Sequence, residues 1–282
     1  MNFIALFAKD IIVLICGLLS SIFVARHLGP EKYGGYIFII LVFAYFVNFG
    51  RFRVSKSILP YLKTNSSHEQ TIFSLGLMII GLLAILTSLA LVAIGSVFDL
   101  FSEISSWIYI ILSLMIICEY FLVFTTYALS YRGQYKKLAG LTALKPIIEA
   151  SGFAYIFFFA NSQKEILPYF VVLVLAISVT ALVGAYNIRN FINISFLNYR
   201  ELDIKYYLKT SLLFYLTDMV DFFSKKGVAT FVAGKLAISN LAFFNMIFNH
   251  FDLLRFPNAA LGAMMYPTLS KEKSDAKQRK YI

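Results

Sequence analysis

The sequence predicts an all-α protein that crosses a membrane several times. Of its 282 residues, 60% are hydrophobic and only 14% are charged, whereas soluble domains carry about a quarter charged residues. Segments 71–98 and 166–188 contain no charged residue, and each is long enough to span the ~30 Å hydrocarbon core of a bilayer as a helix. Their length and the lack of period-two alternation exclude an outer-membrane β-barrel.

Eight apolar segments are candidates for membrane-spanning helices. The first leads directly into the second without a small-residue cleavage site, so we interpret it as a retained helix and not as a signal peptide. Both cysteines, Cys16 and Cys118, lie inside these segments and are predicted to be inert thiols. The predicted segments are 8–25, 35–51, 71–98, 106–130, 138–160, 166–188, 207–233 and 237–268.

The lysines and arginines are distributed unevenly among the connecting loops. Most follow the second, fourth, sixth and eighth segments, whereas the other loops hold few. The positive-inside rule therefore predicts a cytoplasmic N-terminus and cytoplasmic even-numbered loops. The net charge of +10 fits attraction to anionic membrane lipids. No soluble segment combines a basic stripe with aromatic residues, so nucleic acid is not an expected partner.

Two short polar stretches define the ends of the first hairpin. In FVARHLGPEKYGGYIFI, residues 23–39, Gly29-Pro30 is expected to end the first helix and Gly34-Gly35 to permit the turn into the second. At the other end, residues 51–63 combine bases with apolar residues at helical spacing. That pattern predicts a helix lying along the inner membrane interface.

A weak internal repeat relates the first hairpin to a later one. FVAGKLAISNLAFFNMI, residues 231–247, repeats the FVA of residues 23–25 and the order of helix, turn and aromatic helix. Because an even number of helices separates the copies, they share one orientation, as in two-lobed transporters with parallel repeats. We expect a six-helix lobe at residues 1–195 and the first two helices of a second lobe at 196–282. A matching second lobe needs more helices, so we expect a truncated transporter, with a natural eight-helix protein as the alternative.

The first hairpin resembles that of the polysaccharide-transport (Wzx-type) flippases of the multidrug/oligosaccharidyl-lipid/polysaccharide exporter superfamily. The resemblance lies in VARHLGPEKYGGYIFIILVFAYFVNFG, and it continues in YPTLSKEK near the end of the chain. It implies a two-lobed flippase of the bacterial cytoplasmic membrane, whose central cavity moves lipid-pyrophosphate-linked oligosaccharides (O-antigen or capsule repeat units) outward. It also implies membrane lipids and polysaccharide polymerase machinery as partners, no cofactor, and no enzymatic step.

Charged residues inside the predicted helices are the candidate functional residues, because a charge at mid-membrane costs ~2.5–3.5 kcal/mol on insertion scales. Lys145 and Glu149 share a helix face at i,i+4 spacing, whereas Glu119 is alone in its helix. We predict that the bases contact substrate and that the acids couple ions or balance charge. The predicted substrate contacts are Lys145, Lys225, Arg255, Arg26 and Arg51, and the predicted acids are Glu119, Glu149, Asp218 and Asp221.

A structural role is the alternative for each of these charges. Opposite charges at i,i+3 or i,i+4 spacing can neutralise each other locally, and bases near helix ends, such as Arg26 and Arg51, can act as topology signals. The sequence leaves both interpretations open. The possible neutral pairs are Lys145 with Glu149, Asp221 with Lys225, and Asp252 with Arg255.

The leading functional hypothesis is therefore a flippase for lipid-linked oligosaccharide. The alternative is a related exporter of drugs or of another lipid-linked precursor, although residues 11–25 of the first helix lack an acid that would favour a cation antiporter. A membrane glycosyltransferase or polymerase needs a large outer loop with catalytic carboxylates, and the loop after the third segment offers only Asp99 and Glu103. There is no ATP-binding GxxxxGK[ST] motif, and the three histidines lack metal-ligand spacing.

Overall fold

The chain forms a bundle of long helices. A computed structural model describes residues 2–64, 69–101, 106–159, 165–192, 204–235 and 237–252, and within these ranges every regular element is helical. The helices are α1 (Asn2–Gly50), α2 (Val54–Thr64), α3 (Glu69–Val97), α4 (Trp107–Tyr131), α5 (Tyr135–Phe159), α6 (Leu167–Ile188), α7 (Ile204–Lys235) and α8 (Ile238–Asp252), with a single 3-10 turn at Arg189–Phe191.

The first predicted hairpin consists of two helical segments that meet at a single non-helical residue, and both are included here in α1. Gly29 has φ 75° and ψ 171°, outside helical geometry, and the helix resumes immediately at Pro30. Pro30 fits there because the first position of a helix tolerates a residue without an N–H. The predicted break at Gly29-Pro30 is confirmed. The predicted role of Gly34 and Gly35 is wrong, because both lie inside the resumed helix.

Five stretches of the described residues are long and apolar enough to cross a membrane, and the first of them combines α1 with most of α2. The chain is therefore an all-α, multi-pass membrane protein. Helix α7 is long, but Asp218, Asp221 and Lys225 interrupt its apolar run. The predicted spans 207–233 and 237–268 stay predictions, and the second of these extends beyond the described residues.

Helix α2 presents one apolar face to the rest of the bundle. The helical spacing of Val54, Ile58 and Leu62 predicted a helix along the membrane interface, but each of them is no more than 1% exposed within the protein itself. This face packs against α3 and α7. Two basic residues of the same stretch, Arg53 and Lys56, lie where α2 meets α7.

The core of the bundle is formed by α1 against α5 and by α4 between α3 and α6. Small residues permit the close helix approaches that membrane proteins use: a Cβ on Gly152 would lie 2.5 Å from Val172, and one on Gly184 would lie 3.1 Å from Thr125. The outer faces of α3 and α6 expose large apolar side chains such as Leu82, Leu89 and Leu182. Those faces suit lipid, whereas in water they would form a large hydrophobic patch.

Helices α7 and α8 are joined to this bundle by direct contacts with α1 and α2. Leu241 and Ala242 of α8 are buried, and Asn245 donates a hydrogen bond to the Tyr33 hydroxyl at 3.4 Å. The predicted lobe boundary between residues 195 and 196 lies outside the described residues. The contacts of α7 and α8 with α1 and α2 are contacts between the two proposed lobes.

Candidate functional site

The first group of buried charges lies where α4 and α5 meet. The Lys145 Nζ atom lies 3.2 Å from Glu119 Oε2, and both side chains are largely shielded, with 30% and 22% exposure. One expectation is thereby corrected: the ion-pair partner of Lys145 is Glu119 on the neighbouring helix and not Glu149. Glu119 is the only charged residue of α4, as the sequence indicated, and its partner comes from α5. The reason is geometric, since helical side chains slant toward the N-terminus and a lysine four residues before a glutamate is the poorer order for a local pair.

Glu149 and Arg51 complete this group. Glu149 interacts electrostatically with both Lys145 and Glu119, but it forms no ion pair within the described part of the chain. Arg51, at the end of α1, is only 7% exposed and lies within electrostatic range of Glu119. Its Nε atom has no hydrogen-bond partner among the described residues. We call Arg51, Glu119, Lys145 and Glu149 the interior charge cluster.

An aromatic wall lies beside the interior charge cluster. Tyr36 interacts electrostatically with Glu149, and its ring meets that of Phe170 at a centroid distance of 5.2 Å. Tyr169 is fully buried, and its hydroxyl lies 2.5 Å from His27 Nδ1. Because these rings are packed against one another, they form part of the core of the bundle.

Two predicted substrate contacts, Arg26 and Lys225, do not reach the interior charge cluster. Arg26 is exposed, three residues before the Gly29 break. Lys225 forms a local ion pair with Asp221, with Nζ 2.6 Å from Oδ2 and side-chain exposures of 46% and 60%. That pair has the favourable order of acid before base on a helix. Arg255 lies outside the described residues.

Asp218 belongs to a second, separate group of charges. Its carboxylate pairs with Arg53, at 2.7 Å from Nε to Oδ2, and with Lys56, at 3.2 Å from Nζ to Oδ1. We call Arg53, Lys56 and Asp218 the α2–α7 clamp. Sequence reasoning missed the importance of Arg53 and Lys56, because Asp218 is 162 positions away from Lys56 along the chain. The available signal was an unpaired acid in α7 and an excess of bases after α1.

One buried acid was also overlooked near the beginning of the chain. Asp10 is 9% exposed, and its Oδ1 lies 2.5 Å from Lys9 Nζ, whereas its Oδ2 has no hydrogen-bond partner among the described residues. It lies one residue before the acid-free stretch 11–25. No group of three His, Cys, Asp or Glu side chains suitable for a metal ion occurs in the described ranges.

Comparison with known proteins identifies the fold. No protein-family model matches the sequence, and no curated protein matches it. Among solved structures, an outward-facing multidrug resistance MATE family transporter of the MOP superfamily superposes with a TM-score of 0.69 at 15% identity, covering 99% of this chain and 67% of that one. The chain has the fold of the MOP-superfamily transporters. At this level of identity the likeness shows the fold alone.

Two further MOP-superfamily structures give the same result. A point mutant of the Vibrio cholerae MATE transporter VcmN matches with a TM-score of 0.67 at 14% identity, covering 99% of this chain and 67% of that one. A Pyrococcus furiosus MOP superfamily transporter, described as having a binding pocket of reverse polarity, matches with a TM-score of 0.65 at 15% identity, covering 99% and 65%. The chain thus spans about two thirds of the length of these MOP-superfamily transporters.

Proposed function

We propose that the protein is a flippase that moves a lipid-pyrophosphate-linked oligosaccharide across the bacterial cytoplasmic membrane by alternating access. The transporter fold and the first-hairpin motif support this proposal. The observation that carries it is the interior charge cluster, in which Arg51 and Lys145 lie among apolar helices. A transported anion needs such cations, since a charge in the interior must be matched by an opposite charge.

The two cations of the interior charge cluster suit a pyrophosphate. An arginine guanidinium can bind phosphate oxygens in a bidentate manner, and a lysine supplies a point charge. Glu119 neutralises Lys145 at 3.2 Å, so the cluster holds no isolated lysine charge in this conformation. An arriving pyrophosphate would compete with Glu119 for Lys145, and the displaced Glu119 or Glu149 could then take up a proton or a cation. In this way the acids would couple substrate binding to an ion gradient.

Export of a drug or of another lipid-linked precursor is the second candidate. The MATE transporter that superposes on this chain is described as a multidrug resistance protein, and Glu119 and Glu149 could attract a cationic compound. The balance of charge distinguishes the two substrates: a pyrophosphate requires Arg51 and Lys145, whereas a cationic drug requires the acids. A membrane glycosyltransferase or polymerase is less well supported, because the described outer ends of the helices carry no pair of catalytic carboxylates.

Complementation of a bacterial strain that lacks its flippase tests the proposed function. Expression of the complete gene should relieve the accumulation of lipid-linked oligosaccharide on the inner leaflet. Lys145→Met should abolish this relief, because the interior loses a phosphate-binding cation. Lys225→Met is the matched control and should behave as the wild type, since Lys225 is exposed and, among the described residues, pairs with Asp221 on its own helix.

Two results would oppose the flippase assignment. Accumulation that is unrelieved by well-expressed wild-type protein would exclude a lipid-linked oligosaccharide as substrate. Resistance to cationic drugs that is lost in Glu119→Gln but kept in Lys145→Met would favour the drug exporter. Membrane lipids and the polysaccharide polymerase machinery remain the proposed partners of the flippase.

A further inference from the structure

The α2–α7 clamp joins two parts of the chain that belong to different proposed lobes. Asp218 of α7 holds both Arg53, in the turn after α1, and Lys56, in α2. Arg53 also donates a hydrogen bond to Asn48 Oδ1 at 3.2 Å, and Lys56 Nζ lies 4.9 Å from the centre of the Phe214 ring. A single carboxylate therefore ties the α1–α2 turn to α7 on the side of the membrane that carries the basic loops.

Helix α7 also binds the backbone of the same turn. The Ser211 hydroxyl donates a hydrogen bond to the Phe52 carbonyl at 2.5 Å, and the Tyr207 hydroxyl donates one to the Val54 carbonyl at 2.9 Å. The Phe52 ring stacks on that of Tyr215 at a centroid distance of 4.9 Å. The α1–α2 turn is thus held by its backbone and by its side chains.

The turn adopts a conformation that its residues disfavour. Phe52 has φ 47° and Arg53 has φ 55°, and left-handed backbone is strained for residues other than glycine. Strain of this kind persists only where surrounding contacts hold it in place. Contacts from α7 supply that support, so release of α7 would leave the turn free to relax.

From this geometry we propose that the α2–α7 clamp is a latch between the two lobes, closed in this conformation and opened when the lobes separate on the side of the basic loops. Its charges are suited to repeated opening. The side chains of Arg53, Asp218 and Lys56 are 17%, 18% and 23% exposed, so water can reach them once α7 moves away. The inference rests on the proposed transport function, because a latch acts only if the lobes move.

Cysteine labelling measures whether the latch is open, and the substrate need not be known. In a chain with Cys16 and Cys118 replaced by alanine, Ser211→Cys places one thiol under the closed latch, where the native serine is only 2% exposed. In inverted vesicles, a membrane-impermeant maleimide should label the Ser211→Cys thiol about tenfold faster when Asp218→Asn is also present. Loss of a charge-assisted contact implies a change of this size. Asp218→Glu should restore slow labelling. The matched control is Asp221→Asn, which should leave labelling unchanged. Asp221 lies one turn further along α7, and its ion-pair partner among the described residues is Lys225.

A reversible crosslink provides the second test. Phe52→Cys with Tyr215→Cys in the same background can be bridged by a short bifunctional thiol reagent that reducing agent cleaves. The bridged protein should stop transport, and reduction should restore it. This experiment does not require the Asp218 variants to fold.

The outcomes separate the latch from the proposed substrate. Equal labelling of the Ser211→Cys thiol with and without the Asp218→Asn substitution in folded protein, or full transport by the bridged protein, would overturn the latch. Fast labelling in Asp218→Asn together with a failure of the wild type to relieve oligosaccharide accumulation would leave the latch standing and refute the substrate. In that case, transport by the crosslinked protein is measured with the compound that the wild type exports.

Discussion

Lys145 on α5 and Glu119 on α4 form an ion pair across two neighbouring helices, with 3.2 Å between Nζ and Oε2. The pair lies near Arg51 and Glu149, in a bundle whose outer faces are apolar. Charges in such a position are kept only with a partner or a function. Lys145 has a partner in Glu119, and binding of a transported anion is its proposed function.

The first prediction concerns the stability of this pair. Lys145→Met or Glu119→Gln alone should lower the free energy of unfolding in detergent by about 1–2 kcal/mol, because each leaves one partly buried charge without its partner. The double variant Lys145→Glu with Glu119→Lys should recover most of that loss, since it restores opposite charges. Thermal unfolding curves measure the effect. Glu149→Gln serves as the control for loss of a nearby carboxylate that forms no ion pair in the described structure, and an equal loss there would argue against a specific pair.

A second prediction concerns the close contact of α1 with α3 and α4. A Cβ added at Gly50 would overlap the side chain of Thr87 and the hydroxyl of Tyr120, which are hydrogen-bonded to each other at 2.9 Å. Gly50→Ala should therefore destabilise the protein by about 1–3 kcal/mol through overpacking. Gly81→Ala is the matched control, because no neighbouring atom of the described residues lies within 4 Å of its Cβ position. Similar melting temperatures for the two variants would contradict the observed packing.

A third prediction concerns the break in α1. Gly29 has φ 75° and ψ 171°, in a backbone region that is essentially limited to glycine. Gly29→Ala should cost about 1–3 kcal/mol of stability and lower the yield of folded protein. Gly17→Ala, in the regular part of the same helix with open space around its Cβ position, should have little effect or a small stabilising one. The two variants can be compared by fluorescence-detected size-exclusion chromatography after heating.

A fourth prediction concerns orientation in the membrane. Glu31 and Lys136 are both exposed, but they lie at opposite ends of the membrane-spanning helices. In a background without native cysteines, Glu31→Cys should react with an impermeant maleimide in intact cells, and Lys136→Cys should react only after the membrane is opened. This pattern follows from the positive-inside rule. The reverse pattern would place the N-terminus outside the cytoplasm.

The helices and the break between the first two could be predicted because both depend on local sequence. Long charge-free runs specify spanning helices by the length of the bilayer core, and Gly29-Pro30 ends a helix by its own backbone preferences. Resumption of the helix at Pro30 was not predicted. Gly34 and Gly35 can also lie inside a helix when neighbouring helices pack against that segment. Only the tertiary structure shows this packing.

The sequence by itself determined that this is an all-α, multi-pass membrane protein. Only the tertiary structure decided how its charges are paired: Lys145 with Glu119, and Asp218 with Arg53 and Lys56. The physical reason is distance along the chain. Local spacing specifies which side chains share one helix face, as for Asp221 and Lys225, whereas a partner on another helix is specified by the packing of the whole bundle.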